Sequence, residues 1–304
     1  MKLLDLSLPT PAENLACDEA LLDSCEEENG GEILRFWEPR EYFVVVGYAN
    51  KVASEANVPA CATDAIPILR RCSGGGTVLQ GPGCLDYSLI LKITEAGPLT
   101  GINSANRFIM ERNRAALEKL FLDAAREQPD TRTVSSPSPR PSGERAGVRG
   151  TELEIKCLLS SFEGGEGVEP TSAPASSSTR SQLSTLNSQL CIQGHTDLTL
   201  DGLKFSGNAQ RRKKRCLLFH GTFLLRFNIS LVEKFLQLPA KQPDYRQNRA
   251  HSDFLTNLDL PGESVKRALR KAWQADEPFK NLPRERIKSL SCDKYVTKEW
   301  NFKF

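Results

Sequence analysis

Two short segments of the chain concentrate residues able to do chemistry. The first, Arg70-Arg71-Cys72-Ser73-Gly74-Gly75-Gly76-Thr77-Val78, sets two guanidinium groups beside three consecutive glycines. Glycines let a backbone approach a ligand closely and expose bare N–H groups, and arginine forks grip carboxylate or phosphate oxygens, so the segment reads as an anion cradle. It lacks the Lys-Ser/Thr ending of a P-loop and the spacing of a dinucleotide fingerprint. A glycine turn between strands, flanked by two solvated arginines, is the alternative that so short a motif leaves open. The second segment, Asp197 to Gln210, carries Lys204 two residues after Asp201-Gly202. A lysine placed early on a returning hairpin strand can aim an ammonium at an anion, although a single lysine is more often an exposed cation.

Other candidates read less sharply. The run Arg211-Arg212-Lys213-Lys214-Arg215 suits an acidic partner or nucleotide phosphates, or else a solvated loop. His220, followed by Gly221, reads as structural rather than as a general base, and His195 and His251 show no partners in the sequence. Nine cysteines, an odd number without a Cys-x-x-Cys pair, argue against both a disulfide framework and a zinc site and suggest a reducing cytoplasm.

The elements that must position these residues follow from periodicity. Thr10, Pro11 and Glu13 form a capping-box start for a helix running to about Cys25, with Cys17, Leu21 and Cys25 on one face. Strands are predicted over 33–37, 42–47, 66–69, 77–79 and 87–93, and a long amphipathic helix over 103–125. Asp201-Gly202 suits a type I′ turn between strands 198–200 and 203–205. A strand over 222–227 and a helix from Ser264 to Trp273 close the pattern. Helices and strands alternate irregularly, which predicts an α+β domain with a mainly antiparallel mixed sheet and flanking helices. Between residues 128 and 190 the chain turns rich in Ser, Pro, Gly and Thr, too poor in large apolar side chains to offset its ordering entropy. It reads as a disordered insertion, with residues 1–127 and 191–304 forming a single catalytic domain.

Forty basic against 38 acidic residues give a net charge of only +2, which excludes the global basic field of a nucleic-acid binder. Asp5, Pro9 and Pro11 break the start as a secretory signal, and no apolar run is long enough to span a bilayer.

Taken together, the two segments resemble the lipoate-protein ligases, which carry Arg-Arg-x-Ser-Gly-Gly-Gly-x-Val and, further on, Lys-x-Ser-Gly-x-Ala-x-Arg. Here these are Arg70 to Val78 and Lys204, Ser206, Gly207, Ala209 and Arg211. Asn14-Leu15-Ala16 with Asp18-Glu19-Ala20, Leu34-Arg35-Phe36-Trp37, Val46-Gly47, Tyr87-Ser88-Leu89 and His220-Gly221-Thr222 match in order. The resemblance implies a fold shared with biotin-protein ligases and a two-step reaction. Lipoate, or octanoate, and ATP with Mg²⁺ would give an acyl-adenylate, and a lysine of a carrier domain would then take the acyl group. The carriers implied are the lipoyl domains of 2-oxoacid dehydrogenase complexes or the glycine cleavage H protein. By the family pattern Arg71, Gly75, Gly76, Thr77, Val78, Leu79, Asp197 and Lys204 would line the nucleotide, Trp37, Arg70, Gly74 and Gln80 the acyl group, and Asp197 would be a magnesium ligand. Lys204 would be the central catalytic group, a fixed cation between two anions.

Two departures open other readings. Gln80 stands where many ligases have His, and Trp300-Asn301-Phe302, near which the family's catalytic domain ends, is followed by only two residues. The accessory domain that supports adenylation in many members is therefore expected to be a separate subunit or unnecessary. An octanoyl- or lipoyltransferase working without ATP would need a cysteine nucleophile, for which Cys191, thirteen positions before Lys204, is the candidate. An inactive subunit that only binds acylated carriers is the alternative outside catalysis.

Overall fold

The computed structural model describes residues 1–27, 31–127, 189–239 and 241–304. The proposed insertion thus lies almost wholly outside the described residues. The first helix, α1 (Pro11–Glu26), begins as its sequence predicts: the Thr10 hydroxyl accepts from the Glu13 N–H while Glu13 reaches back to the Thr10 N–H.

Eight strands form one sheet: β1 (Lys2–Asp5), β2 (Ile33–Trp37), β6 (Cys84–Lys92), β7 (Leu190–Gln193), β8 (Asp197–Leu200), β9 (Leu203–Arg212), β10 (Cys216–Leu224) and β11 (Glu277–Pro278). Their spatial order is β11-β1-β2-β6-β10-β9-β8-β7, parallel at the two β1 pairings and antiparallel elsewhere. A smaller sheet holds β3 (Phe43–Val46) between β4 (Ile68–Arg70) and β5 (Val78–Gln80). The architecture is the α+β, mainly antiparallel one that the irregular alternation predicts. Among the described residues no helix is long and apolar enough to cross a membrane.

Strand alternation divides the core. On β2, Leu34 and Phe36 face one side while Ile33 and Trp37 face the other, and on β10 Leu217 and Phe219 oppose Cys216 and Leu218. The first side is covered by α4 (Ile102–Glu127) and α7 (Gly262–Trp273), through Ala105, Ile109, Val265 and Leu269. The second is covered by α1 and α8 (Arg284–Leu290). A third cluster beneath the small sheet gathers Val44, Val46 and Leu79 with Val232 and Phe235 of α5 (Ser230–Phe235). The short helices α2 (Val52–Glu55), α3 (Val58–Thr63), α6 (His251–Phe254) and α9 (Lys298–Asn301) complete the chain.

Three expectations are corrected here. Strand β10 begins at Cys216 and ends at Leu224, not over 222–227, because its apolar residues are buried on both faces right up to the basic run. Cys25 and Cys216 are joined in a disulfide between the end of α1 and the start of β10, a pairing 191 residues apart that cysteine spacing could not reveal. His251 does have partners, Arg246 and the Gln237 carbonyl.

One buried ion pair fixes α1 to the large sheet. Arg35 of β2 donates to Asp18 at 2.6 Å, with both side chains almost fully enclosed, and its other nitrogen bonds Asn14. Ser88 donates to the second Asp18 oxygen, and His220 lies 3.3 Å from it. Burial pushes the Asp18 carboxyl up, but Arg35, His220 and Ser88 together hold it below its ordinary value. The stability Asp18 contributes is therefore complete above the unfolded-state carboxyl pKa of about 4 and is lost as pH falls through the lower folded value. Asp18→Asn leaves Arg35 buried without its counter-charge and should destabilise the fold by about 3–5 kcal/mol in urea denaturation at neutral pH. The gap from the wild type should close as the pH is lowered; a gap constant with pH would show that the carboxylate charge is not what holds the helix.

Candidate active site

The glycine-rich loop leaves β4 and passes over the face of the large sheet that α1 also covers. The structure places its two arginines within the fold, bonded to main-chain carbonyls. Arg70 is fully buried and donates to five main-chain carbonyls: those of Gly47, Tyr48, Asn50, Trp300 and Asn301. Arg71 donates to the carbonyls of Val45, Gly74 and Gly76 and to the Ser73 hydroxyl. Burial lowers the Arg71 pKa to about 10, still far above neutrality, so it remains a cation. Arg70 clasps the C-terminal turn to the loop after β3, and Arg71 curls the glycine segment around itself. Both guanidinium groups are buried, with their donors on main-chain carbonyls and the Ser73 hydroxyl.

The glycines answer to this arrangement. Gly75 has φ +86, in the left-handed region, and a Cβ there would meet Arg71 Nη2 at 2.9 Å. A Cβ on Gly47 would lie 2.1 Å from the Gly75 carbonyl oxygen, so the Val46-Gly47 match is a matter of clearance for the loop. Gly74, Gly75 and Gly76 are exposed, leaving their backbone open, and Asn50 donates to the Gly75 carbonyl and to Thr77. Leu79 points into the small-sheet core and Val78 packs at the edge of the α1 core.

Ser73 connects the loop to the sheet. Its hydroxyl accepts from Arg71 Nε and lies 2.6 Å from His220 Nε2, while His220 Nδ1 faces Asp18. With the Ser73 oxygen receiving the arginine proton, the consistent tautomer has His220 Nδ1–H donating to Asp18 and Nε2 accepting from Ser73. His220 is a structural link, as its neighbour Gly221 suggests, and Ser73 is fully buried.

Along the sheet, β-pairing aligns Trp37 with Asp86, Asp86 with Thr222, Thr222 with Gly207 and Gly207 with Asp197. Trp37 is buried against Phe43, and Gln80 donates to both Asp86 and Thr222, which also bond each other. Burial raises the Asp86 pKa well above the ordinary carboxylate range. Gln80 is thus enclosed in a polar trio with Asp86, which lies outside every matched motif, and Thr222, which ends the His220-Gly221-Thr222 match but was assigned no role from the sequence.

Lys204 is the cation that faces the open side. A shift in register between β8 and β9 pairs Leu198 with Ser206 but Thr199 with Lys204, inserting Phe205 as an extra residue. The bulge buries Phe205 in the α4 core and keeps Lys204 on the face of Gly207 and Asp197. The ammonium lies 2.8 Å from Asp197 and over Gly207, where a Cβ would come within 2.8 Å of Nζ. Tyr245 donates to the other Asp197 oxygen at 2.7 Å, a partner without any local sequence signal. Asp197 is thus shared between Lys204 and Tyr245. No group of three or more His, Cys, Asp and Glu suited to a metal occurs among the described residues.

Cys191, half-buried on the edge strand β7, is a free thiol. It pairs with Thr199, which pairs with Lys204, so the three stand in one row across three strands. The basic run divides. Lys213 bonds Asp23, and the main-chain N–H groups of Lys214, Arg215 and Cys216 donate to Glu26, whereas Arg211 lies over the Tyr48 ring. The solvated-loop reading fails for the part tied to α1.

The Arg70 clasp is testable through the tail it holds. Arg70→Lys keeps the charge but offers three donors from a single nitrogen, too few to reach five carbonyls spread around a fork. A loss on the order of 2–4 kcal/mol should follow from the carbonyls left unpaired. Trypsin should then cut at Lys298 and Lys303 faster than in the wild type, and unchanged cleavage would show that the tail is held by other contacts.

Comparison with known proteins agrees with this geometry in its fold and redirects its chemistry. A family model described as the lipoyl protein ligase A/B catalytic domain matches residues 10–142 and 165–274. Octanoyltransferase LipM of Geobacillus kaustophilus is 26% identical over 99% of this chain and 98% of its own, and LipM of Bacillus subtilis is 22% identical over the same shares. Two solved structures share the fold. A bi-partite lipoate protein ligase from Thermoplasma acidophilum aligns with TM-score 0.65 and 17% identity, over 99% of this chain and 95% of that one. A lipoate-protein ligase A bound with ATP aligns with TM-score 0.61 and 20% identity, over 99% and 98%. Seven relatives, each matching at least 96% of this chain, bear the name octanoyltransferase LipM, and they overturn the expectation of an ATP-dependent lipoate ligase. With the model matching well over half of its residues, the chain belongs to the lipoyl protein ligase A/B catalytic domain family.

Proposed function

We propose that this protein is an octanoyltransferase that carries the acyl group on Cys191 and passes it, without ATP, to a lysine of a lipoyl-type carrier domain. The observation that carries the reading is the row Cys191–Thr199–Lys204, which sets a half-buried thiol and a fixed ammonium on one face of the sheet. Two strand spacings, roughly 10 Å, separate their Cα atoms. The lysine ammonium reaches from β9 to Asp197 on β8, at 2.8 Å.

In the first half-reaction Cys191 Sγ attacks the carbonyl carbon of an acyl thioester. A new C–S bond forms, the donor's C–S bond breaks, and the donor thiolate leaves with the proton given up by Cys191. In the second, the amine of a carrier lysine attacks the Cys191 thioester; the amide forms, the cysteine sulfur leaves, and the amine proton returns to it. Both halves pass through a tetrahedral oxyanion, and Lys204 is the group that stabilises it. Asp197 and Tyr245 keep the ammonium in place. No adenylate is needed, because one thioester is exchanged for another and then for a more stable amide. Lipoyl domains of 2-oxoacid dehydrogenase complexes and the glycine cleavage H protein supply the class of acceptor, an exposed lysine on a small domain.

Intact-mass analysis tests the reading directly. An octanoyl thioester incubated without ATP should add one octanoyl group to the wild type and none to Cys191→Ser. A carrier domain added afterwards should remove it. Lys204→Ala should slow both steps by about two to three orders of magnitude, as expected for loss of an oxyanion-stabilising group. Octanoylation that persists in Cys191→Ser, or transfer that occurs only with ATP, would overturn the proposal.

A further inference from the structure

Lys204 is held by more than its carboxylate. The segment from Pro243 to Thr256, remote in sequence from both motifs, meets it in several places. At the ammonium, Tyr245 donates to the Asp197 oxygen that Lys204 leaves free. At the main chain, the Thr256 N–H donates to the Lys204 carbonyl at 2.9 Å, and Leu255 pairs with Lys204 as a parallel bridge. At the turn before β9, Arg249 spans the carbonyls of Gly202 and Tyr245. The segment also lies against the turn between β7 and β8, where a Cβ on Gly194 would meet Pro243 and Tyr245 at 3.5 and 3.6 Å. One loop thus touches the strands that carry the proposed thiol and its ammonium.

A small buried cluster keeps that loop folded. Gln247 and Asn248 turn the chain at positive φ, and Arg246 and Arg249 donate across the turn to each other's carbonyls. Both guanidinium groups lie against the buried Phe254 ring, at 4.6 and 5.2 Å, and Tyr245 packs on it too. His251 closes the cluster. Its Nδ1 lies 3.2 Å from Arg246 Nη2, and its Nε2 lies 3.4 Å from the Gln237 carbonyl. An arginine only donates, so Nδ1 accepts and Nε2 carries the proton. The imidazole is therefore neutral, and a second proton would fall on Nδ1, remove the acceptor and set two like charges face to face. The charged groups facing His251 are Arg246, Glu233 of α5, which accepts from Ser252, and Lys204 of β9. Burial first and Arg246 second hold its pKa below the ordinary histidine value. The closed cluster thus has its full stability above about pH 6.5 and loses it as pH falls below that value.

We propose that His251 and Arg246 are positioning residues for Lys204: while His251 accepts from Arg246 the segment is closed on the lysine, and protonation of His251 opens it. The inference rests on the transferase reading, in which Lys204 stabilises the oxyanion. Neither residue is assigned a contact with substrate; both act on the reaction through Tyr245, Thr256 and the place of the lysine on β9.

The experiment compares the wild type with His251→Asn and His251→Leu. Asparagine offers an acceptor oxygen where Nδ1 stands and takes no proton in this range, whereas leucine offers Arg246 nothing. Octanoylation of Cys191 by an octanoyl thioester, followed by intact mass from about pH 5 to about pH 8, gives the maximal rate and the half-saturating donor concentration. Every variant loses rate with the thiolate as pH falls, so the ratio of wild type to His251→Asn isolates the imidazole. That ratio should fall by up to about tenfold per pH unit in the acid range, with half-saturation unchanged. His251→Leu should lower the maximal rate about tenfold at neutral pH, the worth of a hydrogen bond to a charged group, again at unchanged half-saturation. The asparagine variant carries the test if the leucine variant does not fold. Hydrogen exchange of the Leu255 and Thr256 amides, corrected for the intrinsic rate at each pH, reads the clamp without catalysis. Protection should be lost at about pH 5 in the wild type and kept in His251→Asn. A pH profile shared by these two proteins, or exchange unaffected by the substitution, overturns the inference while leaving the transferase intact. If the wild type takes no octanoyl group at any pH, the transferase reading itself falls. Exchange that opens with acid only where His251 is present then still supports the clamp, and exchange indifferent to the substitution overturns it as well.

Discussion

The interaction on which the site depends is the solvation of two buried guanidinium groups by main-chain carbonyls. Among the described residues Arg70 and Arg71 have no carboxylate bonded to them; their donors end on carbonyl oxygens and one serine hydroxyl. A charge removed from water needs dipoles oriented around it, and here those dipoles come from three chain segments that would otherwise be independent. The loop after β3, the glycine-rich loop and the C-terminal turn are each bent so that their carbonyls point inwards. The two arginines are a pair of nuclei around which irregular backbone is organised. The glycines are needed because a curl that tight leaves no room for side chains.

A second constraint is the bulge at Phe205. In a regular ladder Lys204 would fall in step with Ser206, on the face that packs against α4. The extra residue lets Phe205 enter that core while Lys204 stays with Gly207, Asp197 and, through Thr199, Cys191. A buried phenylalanine thus helps to set the face of the lysine to which the proposed transfer assigns catalysis. Asp18 does similar work at the other end of the groove. It pairs Arg35, accepts from Ser88 and faces His220, whose far nitrogen meets Ser73, so the helix α1, the sheet and the loop share one hydrogen-bonded chain.

Much of this was legible where the determinants are local. The Thr10–Glu13 capping box and the Asp201-Gly202 turn, with both residues at positive φ, are written in adjacent residues and fold as read. The family motifs also sit on the elements expected of them. The direction of Arg70 was not legible, because Trp300 and Asn301 lie 230 residues away and contribute main-chain oxygens, which no residue type encodes. The Cys25–Cys216 pair, the Gln80–Asp86–Thr222 trio and Tyr245 fail to appear for the same reason: each is made by register across strands or by loops that meet only in three dimensions. The reaction was misjudged for a different reason. A shared scaffold and shared loop do not distinguish an adenylating enzyme from one that takes a preformed thioester.

That distinction lies in how the positive charges are matched. Arg70 and Arg71 are solvated by carbonyls and have little reach into the groove. Lys204 is matched by Asp197, but Asp197 also accepts from Tyr245, so its charge is divided between two donors and, in the proposed transfer, the ammonium keeps part of its pull for the oxyanion. Arg211 and Arg212 have no carboxylate ion pair among the described residues. A site built to join a carboxylate to a triphosphate would need its strongest uncompensated charge where those two anions meet. Here the centre holds a balanced pair, Lys204 with Asp197, an arrangement suited to the neutral thioester of the proposed transfer.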